Sequence, residues 1–143
     1  MKVIFLDIDG VLTTDRTQYK SADPECMARL NTLVETTGAK VVLTSTRRFD
    51  KGIRELLRSW GARFEIWGFT QSKEEQEYGF LLSGKKIEEI YDWVIHSKEP
   101  VTQFVIIDDE SYGNNSPGSV YIRTNMIYGF QDHDYKKALE MLK

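Results

Sequence analysis

Cysteine, histidine and proline are scarce here: the 143 residues include one cysteine, two histidines and three prolines. The lone Cys26 has no internal disulfide partner, which points to a reducing compartment. It falls just inside a helix near the apolar face, so packing outweighs thiol chemistry as its role. His96 and His133 lack metal-ligand spacing and read as surface residues. Net charge is also small, with 19 Lys and Arg against 22 Asp and Glu leaving −3. That balance excludes a protein whose whole surface binds nucleic acid, but it leaves room for a local basic patch. Long hydrophobic runs are missing too. Val3-Ile4-Phe5-Leu6 is broken at once by Asp7 and Asp9, so it reads as neither a signal-peptide core nor a membrane span, and the expected location is cytoplasmic. No repeat, low-complexity tract or linker interrupts the chain. Its 41% hydrophobic and 29% charged residues exclude disorder, collagen and coiled coil, and predict one globular domain over residues 1–143.

What the sequence does contain is an alternation of strand-length apolar runs with stretches of helical period, the pattern of a parallel sheet covered by helices. Lys2 to Leu6 is the first run. Asp23-Pro24 predicts a helix N-cap and first turn, Met27, Leu30 and Val34 mark one face of that helix, and Gly38 ends it. Val41-Val42-Leu43 is continuous and β-branched, as in a strand buried on both faces. Asp50 is expected to cap a second helix carrying Ile53, Leu56, Leu57 and Trp60 at i, i+3, i+4 and i+7, closed by Gly61. Phe64 to Phe69 predicts a third strand, and Gln71 to Glu77 a loop or a short exposed helix. Ser83-Gly84 precedes a third helix with Ile87, Ile90, Tyr91 and Val94 on one face. Phe104 to Ile107 and Val120 to Ile122 predict two more strands, separated by an Asn114 to Gly118 loop. Ala138, Leu139 and Leu142 form the buried face of a last helix. The expected architecture is α/β: a three-layer sandwich with a Rossmann-like, mostly parallel sheet and helices on both faces.

Three strands end at their C-terminal edges in polar residues: Asp7-x-Asp9, Thr44-Ser45 and Asp108-Asp109. Open α/β sheets bind ligands at that edge. Four carboxylates, a hydroxyl pair and a lysine, Lys85 or Lys86, can therefore converge on one site. Unpaired carboxylates repel each other and resist desolvation, so a divalent cation is their natural partner, and all-oxygen ligation with room for a phosphate suits Mg²⁺. Taken singly, these groups have plainer readings. Hydroxyls at strand ends often bond to backbone, and lysines at helix starts are often solvated.

On these residues the chain resembles the haloacid dehalogenase-like (HAD-like) superfamily of phosphotransferases. Phe5-Leu6-Asp7-Ile8-Asp9-Gly10-Val11-Leu12 resembles its first motif and Val41 to Ser45 its second. Lys85 or Lys86 resembles the third, and Ile106 to Asp109 the fourth. Small stand-alone members associated with RNA repair proteins are more similar still, in the compact second motif followed by Arg and in a C-terminal stretch like Arg123-Thr124-Asn125 with Gly129 downstream. The resemblance implies a HAD-like phosphatase in which Asp7 is the nucleophile, Asp9 the general acid and base, and Gly10 the tight turn beneath them. It implies that Thr44, with Ser45 beside it, bonds to the phosphoryl group and that Lys85 or Lys86 balances the phosphoryl charge. It further implies that Asp7, the Asp9 carbonyl and Asp108 hold Mg²⁺, with Asp109 acting directly, through water or on the lysine. No nucleotide cofactor is expected, since no Walker sequence is present.

Six basic residues against two acidic ones give residues 47 to 63 a local charge of +4. An ordinary charged helix face explains most of it. Arg47 and Arg48, however, follow the second motif directly, where a guanidinium can grip a substrate phosphate, and Arg16 can act likewise. Trp67 and Phe69 can line the site and stack on a base. The spacing between motifs leaves no room for a cap domain, which suits a large substrate such as a nucleic-acid end and also permits hydrolysis of small phosphomonoesters. The competing readings are a non-catalytic Mg²⁺-binding scaffold and a phosphoacceptor domain like signalling receivers. Receivers carry the acidic pair first and the acceptor Asp later, the reverse of the order here.

Overall fold

A computed structural model describes residues 1–71, 86–110 and 120–143. Five strands form one sheet: β1 (Lys2–Leu6), β2 (Lys40–Leu43), β3 (Ile66–Phe69), β4 (Gln103–Asp108) and β5 (Tyr121–Arg123). Their order is β3-β2-β1-β4-β5, and every pairing is parallel. The helices are α1 (Pro24–Thr37), α2 (Ile53–Ser59), α3 (Lys86–His96) and α4 (Asp132–Met141). This is the expected three-layer α/β architecture, with no cap domain among the described residues.

Side-chain alternation along the strands divides the core between two faces. Ile4, Leu6, Val41, Leu43, Val105 and Ile107 point to one side, where they meet Met27, Leu30 and Leu33 of α1, Leu57 of α2 and Ala138 of α4. Val3, Phe5, Val42 and Ile106 point to the other, against Ile87 and Ile90 of α3. Both faces of the three central strands are thus dry, which explains their uninterrupted apolar runs. Phe5 fixes the α3 side through edge-to-face contacts with Trp93 and Phe104, each at 5.6 Å.

The ends of α1 follow the expected chemistry. The Asp23 carboxylate accepts a hydrogen bond from the Glu25 amide, Pro24 occupies the first turn, and Gly38 closes the helix at φ 71°. The start of α2 differs. Asp50 does not cap it; that residue ends a 3-10 turn over Thr46–Phe49, and Gly52, at φ 83°, leads into the helix. The turn forms because the Ser45 hydroxyl accepts the Arg47 amide at 3.1 Å, a local bond that outcompetes an earlier helix start. Tyr91, expected on the buried face of α3, is 43% exposed, whereas Ile87 and Ile90 are buried. The predicted Asn114 to Gly118 loop, the Ser83-Gly84 helix lead and nearly all of the Gln71 to Glu77 stretch lie outside the described residues. No helix among the described residues is long and apolar enough to cross a membrane.

Candidate active site

Because β1 and β4 are parallel neighbours in register from Lys2↔Gln103 to Leu6↔Ile107, the residues after them are brought side by side. Asp7, Asp108 and Asp109 each offer a carboxylate oxygen, all within 4.8 Å of one another. Lys86, the first residue of α3, reaches over the sheet edge to this group. Its Nζ lies 2.7 Å from Asp108 Oδ2 and 3.6 Å from Asp7 Oδ1. Lys85 lies outside the described residues.

Among the described residues, three carboxylates surround one ammonium. Burial raises the Asp7 pKa well above the usual carboxylate range, and the Asp108 charge raises it further, while Lys86 pulls the other way. Asp109 is pushed up to about 6 by burial first and then by Asp108. Burial alone would lower the Lys86 pKa, but Asp7 and Asp108 outweigh it and the ammonium is held above its usual value. A cluster of hard oxygen donors whose ionisation is opposed by burial and by mutual repulsion fits a small divalent cation.

The turn after β1 needs glycine. Gly10 has φ 80°, and a Cβ there would come within 2.6 Å of the Asp109 Cγ. Its carbonyl is held from behind by the Thr124 hydroxyl at 2.7 Å, while the Thr124 amide bonds to the Asp108 carbonyl at 2.9 Å. Thr124 thus ties the two acid-bearing strand ends together. Its role was not apparent from the sequence, because the residues it joins are far away along the chain.

Asp9 is separate from the trio. Its carboxylate is half-exposed and accepts Arg47 in a two-pronged pair, Nε to Oδ2 at 2.8 Å and Nη2 to Oδ1 at 3.1 Å. Thr13 adds a hydroxyl bond to Oδ1 at 2.8 Å. Arg47, expected on a substrate phosphate, is therefore engaged with Asp9 and, at 3.4 Å, with the Tyr19 carbonyl. Thr13 is a further partner that the sequence reading missed; its spacing four residues after Asp9 in the same loop was the available signal.

Arg48 points away from solvent. It is buried, and its donors go to the carbonyls of Thr44, Ser45 and Thr70 and to Glu89, so the geometry does not offer it to a phosphate. Arg16 pairs with Asp23 at 2.9 Å, beside the start of α1, and is not brought to the trio. Ser45 caps the following turn. Thr44 is different: its hydroxyl is buried just after β2 and has no hydrogen-bond partner among the described residues. A buried hydroxyl left unmatched costs about 1 to 3 kcal/mol, so this one is suited to a ligand's oxygen. Trp67 and Phe69 line a groove of about 820 Å³ with Met1, Gln71 and Trp93, and no member of the acidic trio is among its described lining.

The family model of the HAD domain in Swiss Army Knife RNA repair proteins matches residues 3–135. The chain belongs to that family. The match runs from Val3 in β1 past β5 and includes Asp7, Asp9, Asp108 and Asp109. No curated protein and no solved structure matches the chain.

Proposed function

We propose that this HAD domain is a Mg²⁺-dependent phosphomonoester hydrolase that works through an aspartyl-phosphate and acts on nucleic-acid phosphate ends. The observation that carries the reading is the convergence of Asp7, Asp108 and Asp109 with Lys86, on a sheet edge that also bears the unpartnered Thr44 hydroxyl. Mg²⁺ bound by Asp7, Asp108 and Asp109 would neutralise the cluster and draw a phosphoryl oxygen toward it.

The chain's own residues supply the remaining chemistry. An Asp7 carboxylate oxygen attacks phosphorus in line, the ester P–O bond breaks, and Asp9 delivers a proton to the departing oxygen. Asp9 then takes a proton from water, which attacks the same phosphorus and returns Asp7 as a free carboxylate with release of inorganic phosphate. Thr44 donates to a phosphoryl oxygen and Lys86 balances the equatorial charge, the two electrostatic contributions on which phosphoryl transfer chiefly depends. Arg47 and Thr13 hold Asp9 in place between the two proton transfers.

Two features favour a nucleic-acid end as substrate: the edge with no cap among the described residues, and the RNA repair proteins named in the family's description; the +4 stretch adds little, since Arg47, Arg48, Arg58 and Arg63 pair with Asp9, Glu89, Glu65 and Glu35. The test is phosphate release from p-nitrophenyl phosphate and from a 3′-phosphorylated oligoribonucleotide, comparing wild type with Asp7→Asn. Turnover is expected only in wild type with Mg²⁺, with the oligonucleotide preferred. Activity surviving in Asp7→Asn refutes the mechanism. Equal turnover of both substrates refutes the substrate class.

A further inference from the structure

Among the described residues, the buried Arg48 guanidinium meets three pieces of chain that are not neighbours in sequence. Nη1 donates to the Thr44 carbonyl at 2.8 Å and the Ser45 carbonyl at 2.9 Å, at the end of β2. Nε donates to the Thr70 carbonyl at 2.8 Å, just beyond β3. Nη2 pairs with Glu89 Oε1 on α3 at 3.3 Å. Glu89 lies three residues after Lys86, on the same side of that helix. One rigid fork therefore links the strand end that carries the Thr44 hydroxyl to the helix that carries the Lys86 ammonium.

We propose that Arg48 is a positioning residue that sets the separation of Thr44 and Lys86 and thereby the affinity of the site for a phosphoryl group. This rests on the phosphatase reading, in which those two side chains bind the phosphoryl oxygens. Apolar contacts of Ile87 and Ile90 hold α3 down on the sheet, but such contacts are non-directional and resist sliding along the helix axis only weakly. The Arg48–Glu89 pair is directional and fixes the axial position. Stability alone is a poor explanation for it, since well-packed apolar residues of the same volume hold a core as well as a buried ion pair does. Lysine could not replace it, because a single ammonium cannot reach all four acceptors in the planar geometry of the fork.

Arg48→Lys tests this in the full chain, with Glu89→Gln as a second variant that leaves the fork on the three carbonyls and removes only the charge on α3. Binding of inorganic phosphate in saturating Mg²⁺ and binding of Mg²⁺ alone are measured by calorimetry at a temperature where circular dichroism shows each protein folded. Arg48→Lys is expected to weaken phosphate binding about tenfold or more, since displacements near 1 Å have effects of this size. Its Mg²⁺ affinity should change less than its phosphate affinity, because Arg48 touches neither β1 nor β4, whose ends carry the acidic trio, and reaches that trio only through Lys86. Glu89→Gln should show a smaller loss in the same direction, and it decides the matter if Arg48→Lys fails to fold. Phosphate affinity that stays at the wild-type value in a folded variant, or that falls only in step with Mg²⁺ affinity, overturns the inference. A wild-type protein that binds Mg²⁺ but no phosphate instead overturns the phosphatase reading, and the positioning role falls with it.

Discussion

The charge imbalance of the acidic trio makes stability, pH and metal interdependent. Among the described residues three carboxylates share one lysine, and two carboxylate charges no more than 4.8 Å apart repel by about 3 kcal/mol or more at an effective dielectric constant near 20. Burial first, and then the Asp108 charge, push Asp109 up to about 6 from the value near 4 of an unfolded chain. A carboxyl whose pKa is raised by folding binds more protons in the native than in the unfolded state between those two values. Through Asp109, stability of the metal-free protein should therefore fall as pH rises from about 4 to about 6, and Asp7, raised in the same direction, adds to that fall. Mg²⁺ must displace those protons, so its stabilising effect should grow over the same interval. At a Mg²⁺ concentration one hundred times its dissociation constant the gain is about 2.7 kcal/mol. For a chain of this size that corresponds to about 5 to 11 °C in Tm. Asp109→Asn removes one of the repelling charges, so at pH 7.5 it should raise the metal-free Tm by about 2 to 4 °C per kcal/mol of repulsion relieved while shrinking the Mg²⁺ response. Thermal melts of both proteins at pH 5 and 7.5, with EDTA or MgCl₂, provide the check. A Mg²⁺ shift of the same size at both pH values, or one that persists in full in Asp109→Asn, would refute this account of the cluster.

Gly10→Ala places a Cβ against the Asp109 carboxylate at a backbone φ of 80°; urea unfolding should show a loss of about 1 to 2 kcal/mol from the left-handed backbone alone, accompanied by a smaller Mg²⁺ shift. Cys26 is buried, its Sγ lies 3.4 Å from the Tyr128 carbonyl, and burial pushes the thiol up to about 11. At pH 8 it should thus react with a disulfide reagent many times more slowly in the native protein than in urea, and equal rates would contradict that environment.

The first helix shows how much can be read locally. Asp23, Pro24 and Gly38 bound α1 because capping depends on side chains and backbone groups within a few residues of each other. The strand runs were legible for a similar reason, since burial on both faces requires an unbroken apolar segment wherever the neighbours stand. Where a cap competed with another local bond, sequence reasoning failed: Ser45 closes a turn that delays α2 and leaves Asp50 outside it. The site was partly legible, because the acids come in two pairs, one after β1 and one at the end of β4, and parallel strands present the same edge.

The adjacent arginines mark the limit. Nothing local distinguishes Arg47 from Arg48, yet one grips Asp9 near the surface and the other is buried against Glu89 on α3. Thr124 was equally hidden, since the carbonyl it holds belongs to Gly10. The sequence by itself determined the alternation of strands and helices, the ends of α1 and which residues stand at the C-terminal edge, all set by period and by neighbours a few residues apart. The tertiary structure alone decided the strand order, the helix faces turned to the sheet, the reach of Lys86 to Asp108 and the division of labour between Arg47 and Arg48. Those depend on which distant segments become neighbours, and a side chain's partners are fixed only when strands and helices have taken their places.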